Sequence, residues 1–246
     1  TLNFVCASWP YVVFQRINDS DLHVYNIETA KTKTIHVPFG YTIFVNYETG
    51  GYATIEDGIL YCSTQYIPKM SYAGEPWKLM LMGYDLQNNS LKVQIPFLLP
   101  EYFDIQGLIK REEKLYICTT NRTDGSPFSY HYYPDRETVL VMEIDLETQK
   151  YSKIFAESTA LEHPAFVAGK QWFFYSTPGI EGDRDLIGIR AFNCVTKENS
   201  VLVPGNVQSD RGSAFFFMDG KLFFCDSAGR PCDIDLDRPG EVNVLG

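Results

Sequence analysis

The chain has 246 residues, of which 45% are hydrophobic and 21% charged, and its net charge is -10. That is apolar material enough for a substantial buried core. The acidic balance excludes a phosphate-backbone ligand, which clustered Lys and Arg would hold, so nucleic acid is not an expected partner. No run approaches the roughly 18 apolar residues of a membrane span, so no membrane partner is expected either.

The first module reads as strands at 3–8, 11–17, 22–27 and 32–37. The polar tip Asn18-Asp19-Ser20-Asp21 separates its second and third strands, and Pro38 stops the fourth by removing a backbone donor. The second module reads as 52–56, 59–66, 78–86 and 90–95, with a long connection at 67–77 and Pro96 as the stop. The third reads as 105–110, 114–120, 138–146 and 151–155, with a connection at 121–137. A helix competes at 138–146, where Gly and Pro are missing. The alternation of Leu140, Met142, Ile144 and Leu146 with Val141, Glu143 and Asp145 decides for a strand. The fourth module reads as 165–168, 171–176, 186–193 and 200–203, stopped by Pro204. The fifth reads as 214–218, 221–225, 231–236 and 241–245, with the turn Asp219-Gly220 between its first two strands.

The same apolar phrase opens the second strand of the last four modules. It is seen in Ile59-Leu60-Tyr61-Cys62-Ser63 and again in Leu222-Phe223-Phe224-Cys225-Asp226. The anchors Cys62, Cys118, Tyr175 and Cys225 lie 56, 57 and 50 residues apart. A period near 50 residues made of short antiparallel strands points to radial blades. The fold expected is all-β, a β-propeller of about five four-stranded blades. It forms one domain, with blades near 1–38, 39–97, 98–156, 157–204 and 205–246.

A second phrase closes each third strand: Tyr25-Asn26-Ile27-Glu28-Thr29, Tyr84-Asp85-Leu86-Gln87, Ile144-Asp145-Leu146-Glu147-Thr148, Phe192-Asn193-Cys194-Val195-Thr196 and Ile234-Asp235-Leu236-Asp237. It resembles the aromatic-Asp-x-x-Thr turn of kelch-type blades. The pairs Val37-Pro38, Ile95-Pro96 and Val203-Pro204 are similar to the repeats of F-box-associated propeller domains. The Gly-Gly doublet of the kelch second strand is missing from every module; Gly50-Gly51 stands elsewhere. The resemblance implies a binding or substrate-recognition module. The recurring Asn and Asp residues themselves are read as turn formers, because an Asx side chain bonds its own backbone.

The six cysteines do not read as a disulfide framework in so long a chain. Cys62, Cys118 and Cys225 hold equivalent places in different blades and should not bridge one another. They are read as small buried hydrophobes, which favours a reducing, cytoplasmic setting over secretion. The sequons at Asn18, Asn88 and Asn121 weigh little against this. No CxxC pair supports a metal site, and no cofactor is expected.

Long connections on a rigid scaffold are where binding residues gather. Here they hold Tyr66, Tyr72 and Trp77, then Arg122, Tyr130, His131, Tyr132 and Tyr133, then Arg184. The segments between modules add Phe97, Tyr102, Phe103, His163 and Arg211. Exposed Tyr, Trp and Arg are the anchors of protein interfaces. The leading expectation is therefore a non-catalytic recognition module for a protein or peptide, a basic one suiting the acidic surface. The alternative is a carbohydrate-directed propeller, lectin or glycoside hydrolase, with Asp104 and Asp210 as carboxylates at the mouth of the channel. No nucleophile motif such as GxSxG is present to support other chemistries.

Overall fold

The computed structural model describes residues 2–16, 19–38, 41–43, 53–66, 77–99, 103–121, 139–159, 165–179, 186–208, 215–237 and 241–245. The described residues form strands and turns without a helix, so no helix among them is long and apolar enough to cross a membrane. The strands make five antiparallel sheets, each following the chain in order. The first sheet is β1 (Leu2–Ser8), β2 (Tyr11–Arg16), β3 (Leu22–Asn26) and β4 (Lys31–Ile35). The second is β5 (Tyr41–Ile43), β6 (Ala53–Glu56), β7 (Ile59–Tyr66), β8 (Trp77–Asp85) and β9 (Ser90–Leu99). The third is β10 (Phe103–Arg111), β11 (Lys114–Asn121), β12 (Val139–Asp145) and β13 (Tyr151–Glu157). The fourth is β14 (Phe166–Gly169), β15 (Trp172–Pro178), β16 (Leu186–Asn193) and β17 (Asn199–Gln208). The fifth is β18 (Phe215–Met218), β19 (Lys221–Cys225), β20 (Pro231–Asp235) and β21 (Val242–Val244). This is an all-β fold of repeated four-stranded meanders, the blade of a propeller, and β12 is a strand as its alternation required.

The second sheet departs from the pattern. Both β5 and β6 pair with β7, β5 against its last three residues and β6 against its first four. The first strand of this blade is thus in two pieces, of which the sequence reading found only the second.

Two predicted stops are overridden. β9 continues through Pro96, which sits opposite Met80, and β17 continues through Pro204. Both are the outermost strands of their sheets. On an edge strand a proline's missing N–H takes nothing from a ladder when it faces outward. In β17 the register also slips between Val203 and Val207, and Pro204 and Gly205 occupy that bulge.

The chain divides into two compact units, Thr1–Leu115 with Ile144–Tyr151, and Tyr116–Glu143 with Ser152–Gly246. In the first, alternation sends Val13, Leu22, Val24 and Ile35 of the first sheet into one core with Ile55, Leu60, Cys62, Met80 and Met82 of the second. In the second, Phe174, Ile189 and Ala191 of the fourth sheet pack with Phe215, Leu222, Phe224 and Ile234 of the fifth. Fully burying one such side chain stabilises by about 1.5–3 kcal/mol. The two sheets meet closely at Gly169, where a Cβ would stand 2.1 Å from the Phe217 ring.

All six cysteines are free thiols. Cys62 and Cys118 are buried, as expected, but Cys225 is exposed. The reason is local. Cys225 lies on the side of the last sheet that carries the stacked rings of Phe216 and Phe223, and Phe216 is exposed there. The buried neighbours Leu222 and Phe224 point the other way.

Candidate functional site at the loop edge of the sheets

In a sheet of four sequential antiparallel strands, the connection after the second strand and the segment after the fourth leave from the same edge. Tyr66 ends β7, Trp77 opens β8, and Phe103 and Asp104 open β10, so their backbones lie at the loop edges of their own sheets. Tyr72, Tyr102, Arg122, Tyr130, His131, Tyr132, Tyr133, His163, Arg184, Asp210 and Arg211 lie outside the described residues. Phe97 is not a loop residue. It is buried in β9, with its ring edge-on to Tyr151 at 6.3 Å.

The first sheet carries a described polar cluster at this edge. Strand register sets Phe14, His23 and Thr34 side by side across β2, β3 and β4. The Phe14 and His23 rings stack, 5.4 Å apart. Above them the β2–β3 turn brings Asp19 down, its Oδ2 3.1 Å from His23 Nε2. The other ring nitrogen, Nδ1, lies 3.3 Å from the Thr34 hydroxyl. Asp19 is oriented by accepting the backbone N–H of Asp21 at 3.0 Å, and Gln15 donates to the Asp19 carbonyl at 2.8 Å. The Asp21 N–H first, and then the His23 imidazole, hold the Asp19 carboxyl below its ordinary value.

A second pair stands beside the first. Asp21 Oδ2 lies 2.6 Å from His36 Nδ1, and its Oδ1 accepts the Val37 N–H at 3.0 Å. The two pairs differ in exposure. The His23 side chain is 9% exposed, whereas that of His36 is 80% exposed. Imidazole–carboxylate pairs move protons near neutral pH. In the first pair the order is carboxylate, imidazole, hydroxyl, which is the order that activates a hydroxyl, and Thr34 is exposed. No group of three or more potential metal ligands is found among the described residues.

Sequence reasoning did not assemble this cluster. It read Asp19 and Asp21 as turn residues and His23 and His36 as strand residues. The signal available was the spacing Asp19-Ser20-Asp21-Leu22-His23, which returns a carboxylate and an imidazole to the same face across a short turn.

The second unit holds another polar group of different character. Glu157 accepts from the Tyr175 hydroxyl and from Arg190. Asn199 donates to the same carboxylate at 2.9 Å, and its Oδ1 lies 3.1 Å from the Tyr175 hydroxyl. Burial, and then the Glu157 carboxylate, push the Tyr175 phenol well up. The partners named here lie on β13, β15, β16 and β17. The group clasps β13 to the fourth sheet.

The opposite edge is occupied by the recurring turns. Asn26 accepts the Thr29 N–H, Asp85 those of Gln87 and Asn88, Asp145 that of Thr148, and Asn193 those of Val195 and Thr196. Four residues after each of these, Ala30, Asn89, Gln149 and Lys197 take positive φ. The phrase recurs because this turn needs a side-chain acceptor at its start.

No family model matches the sequence, and no curated protein matches it. Solved structures do. The tricorn protease matches over 96% of this chain and 25% of its own, with a TM-score of 0.53 at 10% identity. An oligogalacturonate lyase in complex with manganese matches over 96% and 62%, with a TM-score of 0.57 at 11% identity. The acylaminoacyl peptidase of Pyrococcus horikoshii matches over 100% and 39%, with a TM-score of 0.55 at 11% identity. The chain therefore spans less than two thirds of each of these proteins.

These likenesses define the class of the fold, a β-propeller. Nothing in them singles out kelch-type repeats. They also correct the leading functional expectation. A non-catalytic recognition module was inferred from architecture and loop content, yet the same architecture here is that of a protease, a lyase and a peptidase. The blades give no ground for setting catalysis aside.

Proposed function

We propose that this chain is a carbohydrate-directed β-propeller, a glycan-binding or glycoside-cleaving one, that engages its ligand at the loop edge of its sheets. The observation that carries the reading is the fold likeness to oligogalacturonate lyase over 96% of the chain. Loop composition supports it. Tyr66, Tyr72, Trp77 and Tyr130 to Tyr133 supply aromatic faces, and an apolar lining with a few placed polar groups is what a small-molecule site needs. Asp104 and Asp210 are the carboxylates assigned to glycosidic cleavage. The net charge of -10 favours a neutral oligosaccharide over a uronate, because like charges repel a polyanionic ligand from the surface.

The test is a panel of neutral and acidic oligosaccharides, scored for binding and for release of reducing ends. Neutral glycans should bind. If the protein cleaves them, Asp104→Asn or Asp210→Asn should lower turnover by about 100-fold or more without changing the melting temperature. A folded wild-type protein that neither binds nor cleaves any glycan of either charge would overturn the reading.

A further inference from the structure

One row of side chains crosses the whole first sheet. Strand register sets Phe4 of β1 opposite Phe14 of β2, Phe14 opposite His23 of β3, and His23 opposite Thr34 of β4. Directly opposed residues share one face of a sheet. β4 is the outermost strand and Thr34 is exposed on it, so the hydroxyl end of the row can be approached. Phe4 is exposed at the other end. Between them the His23 ring is held from three sides. Phe14 stacks on it at 5.4 Å, Asp19 Oδ2 lies 3.1 Å from Nε2, and the Thr34 hydroxyl lies 3.3 Å from Nδ1. The Asp21 N–H, and then the imidazole, hold the Asp19 carboxyl below its ordinary value, so it is ionised at neutral pH. An ionised carboxylate only accepts, so it takes the Nε2 proton and leaves Nδ1 to accept from the Thr34 hydroxyl.

We infer that Thr34 is an acyl-accepting nucleophile, with His23 as its general base and Asp19 as the positioning residue, and that its substrate is a small carboxylic ester with a good leaving group, such as an aryl ester. Thr34 Oγ1 attacks the ester carbonyl carbon while its proton passes to His23 Nδ1. The tetrahedral adduct breaks its bond to the leaving oxygen, which takes that proton and departs as the alcohol or phenol. The acyl group stays on Oγ1 as an ester. Water, giving its proton to the same nitrogen, then attacks the acyl carbon, and the proton returns to Oγ1 as the carboxylic acid is freed. The Asp19 carboxylate keeps Nε2 protonated and balances the charge of the imidazolium that forms at each step. This site is independent of the glycan reading, since it uses neither Asp104 nor Asp210.

Thr32 provides the internal control. It lies on the same strand and the same face, two residues away, and is also exposed. Its own row holds Val12 and Tyr25 where that of Thr34 holds Phe14 and His23. Exposure of a hydroxyl alone would acylate both threonines, whereas an imidazole base singles out Thr34.

The test uses the full chain, incubated with p-nitrophenyl acetate at neutral pH, quenched in acid at short times and mapped by peptide mass spectrometry. Acetyl should be found on Thr34 and not on Thr32. Thr34→Val should remove that label with the melting temperature unchanged, and Thr32→Val should leave it as it is. His23→Gln should slow the labelling by about 100-fold or more. In Asp19→Asn the amide can turn its NH2 toward the ring, so nitrogen NMR should show the His23 proton moved from Nε2 to Nδ1, and labelling should fall with that change of tautomer. Should His23→Gln fail to fold, the comparison of Thr34 with Thr32 in the wild type decides alone. Thr34 left unlabelled, the two threonines labelled equally, or an unchanged rate in folded His23→Gln would overturn the inference.

Discussion

The two edges of the sheets behave differently. At the turn edge the same arrangement is used again and again, an Asn or Asp accepting amides two and three residues ahead. Each such side chain is satisfied within its own turn. Among the described residues of the loop edge, no such Asx turn recurs. The first sheet gathers Asp19, Asp21, His23 and His36 there, with partners drawn from β2, β3 and the end of β4. The difference teaches that recurrence in a repeat protein marks what every blade needs in order to turn. Chemistry is to be sought where one blade departs from the others.

That contrast can be tested by breaking each edge in turn. The largest effect is expected at His23. Alanine there removes a buried ring stacked on Phe14 and strips Asp19 and Thr34 of their shared partner. Urea unfolding should show a loss of roughly 2–3 kcal/mol, and any glycan turnover should fall with it when assayed on the folded fraction. If His23→Ala is as stable as the wild type, the cluster is not a structural unit of the loop edge.

A smaller loss is expected at the turn edge. Asn193→Ala forfeits acceptors for two amides in one turn, and the expected cost is about 1–2 kcal/mol, read as a lower denaturation midpoint. Ligand binding should not change. A loss of binding at unchanged stability would break the division between the edges.

The smallest effect is one of pH and should appear at both edges. The carboxyls of Asp19, Asp85 and Asp145 are all held below their ordinary value, chiefly by backbone N–H donors. Groups with a lowered folded pKa contribute stability that is present above the ordinary aspartate range and lost as pH falls through the folded value. Denaturation midpoints should therefore hold from neutrality to about pH 5 and decline below about pH 4. Asp145→Asn should remove its share of that decline, since an amide oxygen still accepts and does not titrate. A midpoint that is flat from pH 7 to pH 2.5 would contradict the assignment.

Much of the fold was legible because its signals are local. The recurring apolar phrase placed β7, β11, β15 and β19, and alternation with period two placed β12. The Asx phrase placed four of the turns that follow the third strands. The prolines were misread. Pro96 and Pro204 stop a strand only if their nitrogen faces a partner, and which strand lies at the edge of a sheet is a matter of pairing, not of sequence. β5 was missed for a related reason, since three residues make a strand only when β7 offers them an edge. The candidate site was least legible. Phe97 was taken for a loop aromatic because Pro96 was taken for a stop, and His23, inside the strand read at 22–27, declares no partner in the sequence.

The amino-acid sequence by itself determined the all-β class, the five-fold repeat and the four-strand phrase, because strand periodicity and turn chemistry act over a few neighbouring residues. It also determined the turn role of Asn26, Asp85, Asp145 and Asn193. Only the tertiary structure decided that His23 meets both Asp19 and Thr34, and that Cys225 is exposed. Those outcomes depend on which strands pair, in what register, and which sheet faces cover one another. Residues 33 apart in the chain, such as Glu157 and Arg190, carry no local mark of the contact that packing gives them.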